Sequence, residues 1–316
     1  MKIQNHPTRP QDYVILFLKG IAMGTADIIP GVSGGTMAFI TGIYEDLLDS
    51  IRSFDMTLVR LLLRRKIQEA VEYVPWQFLA TLFFGIGVAF VGLAHGVDWM
   101  LQNERIYLFA FFFGLILASI VAIGGMVRWS AGSVGMLVLG TVVAYVVVGL
   151  VPLEMPHDPL TMLFSGMIAI MAMILPGISG SFLLLILGQY DYVLQLVKSL
   201  DVVGIFPLAV GAVIGLMGFS RVLSWLLKRY HQATVAALIG FMIGSLRKIW
   251  PWKEVIETRI DRHGDIIPIV EKNILPVFGS TEFAIAVVLC IVGFLVVSYI
   301  DHLQSRSNPV LRLFLK

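Results

Sequence analysis

Two proline–glycine pairs interrupt apolar stretches, and each is followed by the same small residues: Pro30-Gly31-Val32-Ser33-Gly34 and Pro176-Gly177-Ile178-Ser179-Gly180. Proline removes a backbone donor and clashes with the preceding turn, and glycine releases the backbone. The surroundings are strongly apolar: 58% of the 316 residues are hydrophobic and 14% charged, where a soluble domain carries about 25% charge. With a mean hydropathy of +0.87, most of the surface must face something other than water, so the chain reads as an integral membrane protein. In lipid, a broken helix is tolerated only where protein or a water-filled cavity covers the freed backbone. Each broken pair, 13–29 with 31–51 and 160–175 with 177–197, is therefore read as a re-entrant hairpin. Six further runs, 76–94, 105–126, 132–151, 204–227, 232–249 and 281–300, approach the ~20 residues a spanning helix needs.

The chain resembles itself. An offset of 146 aligns the two Pro-Gly signatures and pairs Gly42 with Gly188, Tyr44 with Tyr190 and Glu45 with Asp191. Further on, an offset of 126 pairs Gly85 with Gly211, Trp99 with Trp225, Gly114 with Gly240 and Ser119 with Ser245. The difference corresponds to an insertion around 52–75, where Phe54, Leu58, Leu61 and Leu62 oppose Arg60, Arg64 and Arg65, as in an interfacial amphipathic helix. The expected fold is an all-α polytopic membrane protein of two repeats, 1–151 and 152–316. Each holds one Pro-Gly-broken re-entrant hairpin and three transmembrane helices. Three crossings are odd, so the second repeat enters upside down.

Positive-inside counting checks the arrangement. Arg52, Arg60, Arg64, Arg65 and Lys66, then Lys228 and Arg229, then Arg306, Arg312 and Lys316 all fall on one side, read as cytoplasmic, with both termini. The loop 152–160 holds no Lys or Arg. The segment 247–272 is an exception, basic yet outside, and reads as a small hairpin turning at His263-Gly264 within an extracytoplasmic loop, 250–280. The polar first twelve residues lack a signal-peptide pattern, so the first apolar segment is expected to be retained.

Inverted repeats usually place a site near the midplane, at broken helices. A half-helix starting after the break presents unpaired N–H groups and the positive end of its dipole, a setting for an anion. Ser33 and Thr36 add hydroxyls, Gly34 and Gly35 let a ligand near the backbone, and Ser179, Gly180 and Ser181 repeat the set. The alternative is that small residues merely permit tight helix crossing. Asp27, three residues before Pro30, is either a functional intramembrane acid or a cap for the half-helix; its aligned residue is Met173. Glu45 and Asp191 read as solvated helix-end acids or as reserves for ion coupling. Arg221 either snorkels to the interface or partners a phosphate, and Arg105 has the same ambiguity. The net charge of +2 gives no nucleic-acid signal. The single cysteine, Cys290, excludes a disulfide framework or a Cys-based metal site, and no His/Glu spacing suggests a metal. No cofactor is expected.

The run from Lys19 to Thr36, with Gly42-Ile43-Tyr44-Glu45, resembles the PopT family of bacterial and archaeal membrane proteins. The second signature, Leu175 to Ser181 with Gly188-Gln189-Tyr190, fits as well, and the resemblance covers about residues 13–300. It implies not an enzyme but a translocase in the bacterial cytoplasmic membrane, returning the lipid carrier undecaprenyl phosphate from the outer to the inner leaflet during cell-wall synthesis. A coupling proton or cation is the implied partner. With a phosphate as cargo, Asp27 becomes the best-placed proton carrier.

Two other classes remain open. The membrane undecaprenyl-pyrophosphate phosphatases also carry inverted hairpins, with a Pro-Gly-x-Ser-Arg-Ser motif. Here Gly34 and Gly180 stand where that arginine would hold a pyrophosphate, which argues against hydrolysis. An ion-coupled carrier of a small soluble anion would use the same half-helix donors; it needs an aqueous vestibule, whereas a lipid needs a lateral opening. No P-loop is present, which argues against direct use of ATP.

Overall fold

The computed structural model describes residues 7–29, 32–150, 155–260 and 266–305. The Pro30-Gly31 pair, the tip around His263-Gly264 and the basic residues from Arg306 onward lie outside the described residues. The chain is mostly helical. Helix α1 (Pro10–Ile28) leads to α2 (Gly34–Ile40), α3 (Tyr44–Arg52), α4 (Met56–Leu63) and α5 (Ile67–Tyr73), then to α6 (Trp76–Asn103), α7 (Arg105–Gly124) and α8 (Ala131–Val147). There follow α9 (Pro159–Ile174), α10 (Gly180–Ile186), α11 (Tyr190–Lys198), α12 (Val202–Arg229) and α13 (His231–Ser245). Antiparallel strands β1 (Lys253–Ile260) and β2 (Ile266–Asn273) precede α14 (Thr281–Ser305). The offset of 146 carries α2 and α3 onto α10 and α11, and that of 126 carries α6 onto α12, end to end.

Among the described residues, α6, α7, α12 and α14 each contain a stretch long and apolar enough to cross a membrane. Their outer faces are apolar too: Val288, Ile291, Leu295 and Tyr299 of α14 and Val138, Val142 and Tyr145 of α8 all stand exposed. Helices that are hydrophobic all round belong in lipid, and the chain is a multi-pass helical membrane protein. The runs 132–151 and 232–249, expected to span fully, are shorter: α8 has 17 residues and α13 has 15, or roughly 23–26 Å at 1.5 Å per residue. They pack against each other.

Lipid offers little hydrophobic drive for helix association, so close backbone approach at small residues takes its place. On α1 and α6, Gly20 meets the Leu82 carbonyl and Gly85 that of Phe17; on α9 and α12, Gly166 meets Leu208 and Gly211 meets Leu163. The other two pairs join opposite halves of the chain. On α7 and α14, Gly114 meets Cys290; on α8 and α13, Gly240 meets Leu137.

Two expectations are corrected. The returning arms 31–51 and 177–197 are not continuous. Each breaks after seven helical residues, and α10 and α11 diverge by 115°. The cause is a left-handed glycine: Gly42 (φ 68) and Gly188 (φ 66). Gly42 and Ile43 donate to the Phe39 and Ala38 carbonyls, and Gly188 and Gln189 to those of Leu185 and Leu184, so both turns are Schellman caps. The segment 52–75 is two helices, α4 and α5, because Arg65 (φ 55) ends α4 with the same pair of bonds, Arg65 to Leu62 and Lys66 to Leu61. The segment 247–272, by contrast, does form a hairpin, and its two strands qualify the all-α reading outside the helical bundle.

The glycine seams are testable. A Cβ on Gly114 runs into the carbonyl of Cys290, whereas one on Gly87 meets open space. Gly114→Val should destabilise the protein by about 1–3 kcal/mol through overpacking, lowering the melting temperature in detergent, while Gly87→Val should leave it unchanged.

Candidate functional site

The broken helices meet. The last turn of α9 presents the carbonyls of Met173, Ile174 and Leu175, and the chain beyond it cannot continue as helix because of Pro176. The first half supplies partners for what the break exposes. Ser33 Oγ lies 3.3 Å from the Met173 carbonyl oxygen and 3.4 Å from that of Leu175. Tyr44 donates its hydroxyl to the Ile174 carbonyl at 3.0 Å. The Gly177 N–H donates to Thr36 Oγ1 at 2.8 Å. Ser33, Thr36 and Tyr44 are buried, where an unpaired polar group costs several kcal/mol. Gly177, with φ 91, turns the chain back against Ser245 of α13.

The two half-helices begin differently. At the start of α2, Ser33 Oγ accepts from the Gly35 N–H at 3.1 Å and Asp27 Oδ1 accepts from the Gly34 N–H at 2.7 Å. The position expected for an anion is thus held by a carboxyl group of the chain itself. At the start of α10, Ser179 makes no capping bond; its hydroxyl shares a hydrogen with Ser181, Oγ to Oγ 2.8 Å. Met173, which replaces Asp27 in this half, supplies no carboxyl.

The glycines expected to admit a ligand to the backbone are covered by protein. Gly34 faces the Asp27 carboxyl, Gly35 the carbonyls of Ile174 and Met173, and Gly180 that of Ala169. Gly34 and Gly180 thus make their close approaches within their own halves, and Gly35 makes its approach across to α9. Arg221 donates to the carbonyls of Met217 (2.6 Å) and Phe54 (3.3 Å). Glu45 and Asp191 open the first turns of α3 and α11, and Glu45 stands 3.3 Å from His231 Nε2. Near Arg221, Asp49 binds Ser224 (3.0 Å), Lys228 (2.9 Å) and Arg52 (3.1 Å), joining α3 to the end of α12.

At the opposite end, one residue fastens the β-hairpin. Glu271 pairs with Arg105, with Lys253 at 3.2 Å and with Lys248 at 3.8 Å. Burial pushes the Glu271 carboxyl up, but these three cations outweigh it and hold it below its usual value. Burial lowers the Lys253 ammonium to about 8, against the upward pull of Glu271. Arg105 is thereby explained as an ion-pair partner. Glu271, Lys248 and Lys253 escaped the sequence reading. Their one signal was the basic segment that broke the positive-inside pattern.

Apolar helices with lipid-suited outer faces, gathered around buried helix ends, define the class: a multi-pass helical membrane protein. A family profile described as VCA0040-like, undecaprenyl phosphate translocase-like, matches residues 23–267, and the chain belongs to that family. It is 44% identical over 271 residues to a polyprenyl-phosphate transporter of Vibrio cholerae, covering 85% of this chain and 87% of the relative. It is 30% identical over 256 residues to a polyprenyl-phosphate transporter of Staphylococcus aureus, covering 75% and 86%. These relatives are named as transporters, not enzymes. No solved structure matches the chain.

The bond from Gly177 to Thr36 should be measurable. Thr36→Val keeps the shape and removes the acceptor, at a cost of about 1–3 kcal/mol for the buried N–H left behind. Thr36→Ser should restore most of the loss, read as thermal unfolding of the purified protein.

Proposed function

We propose that this chain transports polyprenyl phosphate, returning undecaprenyl phosphate from the outer to the inner leaflet of the bacterial cytoplasmic membrane for cell-envelope polymer synthesis. The observation that carries this reading is the 44% identity to a polyprenyl-phosphate transporter along most of both chains. The broken helices support it: a phosphate crossing the bilayer needs donors at the depth where intact helices have none to offer.

Residues 1–151 and 152–316 are taken as inverted repeats, with α1–α3 and α9–α11 as re-entrant hairpins entering from opposite sides. Matching element boundaries and matching glycine seams support the pairing. The end bearing Arg52, α4, α5 and Lys228 is cytoplasmic together with both termini, α4 and α5 lie in the interface, and the β-hairpin is outside. Cysteines introduced at 60–66 in a Cys290→Ser background should label only from the cytoplasmic side. Labelling from outside would overturn this arrangement.

The head group passes between the hairpin starts, where Ser33, Gly34, Gly35 and Thr36 face the arm carrying Ser179, Gly180 and Ser181. In the arrangement described, Asp27 occupies one α2 donor, the Gly34 N–H. A proton on Asp27 weakens its hold on the Gly34 N–H and frees that donor for phosphate, so protonation and head-group entry are linked. Carrying one net negative charge inward against an inside-negative potential costs about 2.3 kcal/mol per 100 mV, and a co-moving proton offsets it. Glu45 and Asp191 lie at helix ends as further acids on the path, and Arg221 serves the cytoplasmic exit.

Asp27→Asn separates capping from proton carriage, since asparagine caps as well as aspartate. The variant should fold, bind polyprenyl phosphate and lose the pH dependence of transport in reconstituted vesicles. An unchanged pH profile would reduce Asp27 to a cap.

A further inference from the structure

A cavity of about 550 Å³ opens at the β-hairpin end of the molecule. Its walls come from α7, the end of α8, α10, the chain after α13 and the hairpin, and it is lined by Arg247, Lys248, Lys253 and Lys272 with a single carboxylate, Glu271. That carboxylate is already committed to Lys253, Lys248 and Arg105. One negative charge among three cations leaves the cluster positive, and Arg247 adds to it. Arg247 donates to the Tyr145 carbonyl at 3.2 Å and lies over the Tyr145 ring at 4.4 Å, and among the described residues no carboxylate pairs with it.

Holding surplus charge in a sheltered place is costly unless a counter-ion completes it. The Lys253 side chain is only 6% exposed and that of Lys248 22%. An anchoring role for the hairpin accounts for Glu271 and one partner; it does not account for the rest. The other walls are apolar: Phe113, Phe182, Leu185, Leu246 and Trp250. Phe182 belongs to α10, the uncapped half-helix, and Lys248 Nζ sits 4.5 Å from the centre of its ring. Cations and hydrocarbon walls side by side suit an amphiphile with an anionic head, and the cavity ends against the second hairpin.

We infer that this cavity is the outer receiving site for the phosphate monoester head group, with Arg247, Lys248 and Lys253 supplying the charge and Phe182 leading to the hairpin. The inference rests on the reading of the chain as a polyprenyl-phosphate transporter. It explains why a basic segment is retained on the side where positive charge is otherwise sparse. It also gives Glu271 a second task, holding the cations together against their mutual repulsion while leaving most of their charge unspent.

The test uses the full-length protein in detergent and in vesicles, with undecaprenyl phosphate, undecaprenol and inorganic phosphate as probes. Arg247→Gln with Lys248→Gln leaves the Glu271, Lys253 and Arg105 tie in place. This double variant should weaken undecaprenyl phosphate binding at least tenfold and slow transport, while Arg247→Lys with Lys248→Arg should stay within about threefold of wild type. Arg60→Gln, at the opposite end, should change nothing. If the glutamine double variant elutes as aggregate, Arg247→Gln alone decides, with an expected loss of at least threefold. Wild-type affinity in the glutamine variants, or inorganic phosphate binding as tightly as the lipid, would overturn the assignment. Transport by wild type with unaltered binding in the variants would sink the cavity and leave the transport reading standing; no transport by wild type would sink that reading itself.

Discussion

Backbone hydrogen bonding inside a medium without water is the constraint on which this structure depends. Each Pro-Gly break frees peptide groups that an intact helix would satisfy, and lipid offers them nothing. The solution reaches across the chain in one direction. Carbonyls at the end of α9 meet Ser33 and Tyr44, and the Gly177 N–H meets Thr36. The start of α2 is closed by Asp27 and Ser33. The second break is therefore completed by residues some 140 positions away, and the site cannot form from either half alone.

Much of this was legible because membrane chemistry leaves strong marks. The apolar runs, the two signatures and the paired offsets located the long helices among the described residues and the helix end at Pro176. The Schellman turns at Gly42 and Gly188 were not recognised, although their pairing was seen; the apolar residues on both sides hid a change of direction that depends on φ rather than on hydropathy. Arg65 was harder still, since arginine in the left-handed region has no compositional signature. For the candidate site, the types of Ser33, Thr36 and Asp27 suggested donors and charge, while their partners, backbone atoms of the other half for Ser33 and Thr36 and of its own half for Asp27, carry no side-chain identity to read. The cations of the β-hairpin end were visible only as an exception to a topological rule.

The two ends of the bundle handle charge differently. At one, Asp49 gathers Arg52, Lys228 and Ser224 into a compact pair network that ties α3 to α12. At the other, Glu271 is outnumbered by its cations. The same elements, a carboxylate and basic side chains, close one end and leave the other electrostatically open. Burial lowers the Lys253 ammonium most, and the neighbouring Lys248 and Arg105 add to that lowering against the pull of Glu271.

The crossing of partners between halves has a consequence for biogenesis. Helix α7 finds its seam on α14, and α8 finds its own on α13. During synthesis both first-half helices enter the bilayer with their glycine faces uncovered, and Gly114 waits for α14. A ribosome that stalls before α14 leaves α7 with a grooved, unpaired flank in the membrane. Arrival of α14 is thus the event that fills the groove of α7, so that a seam opened early in the chain is closed only late in it.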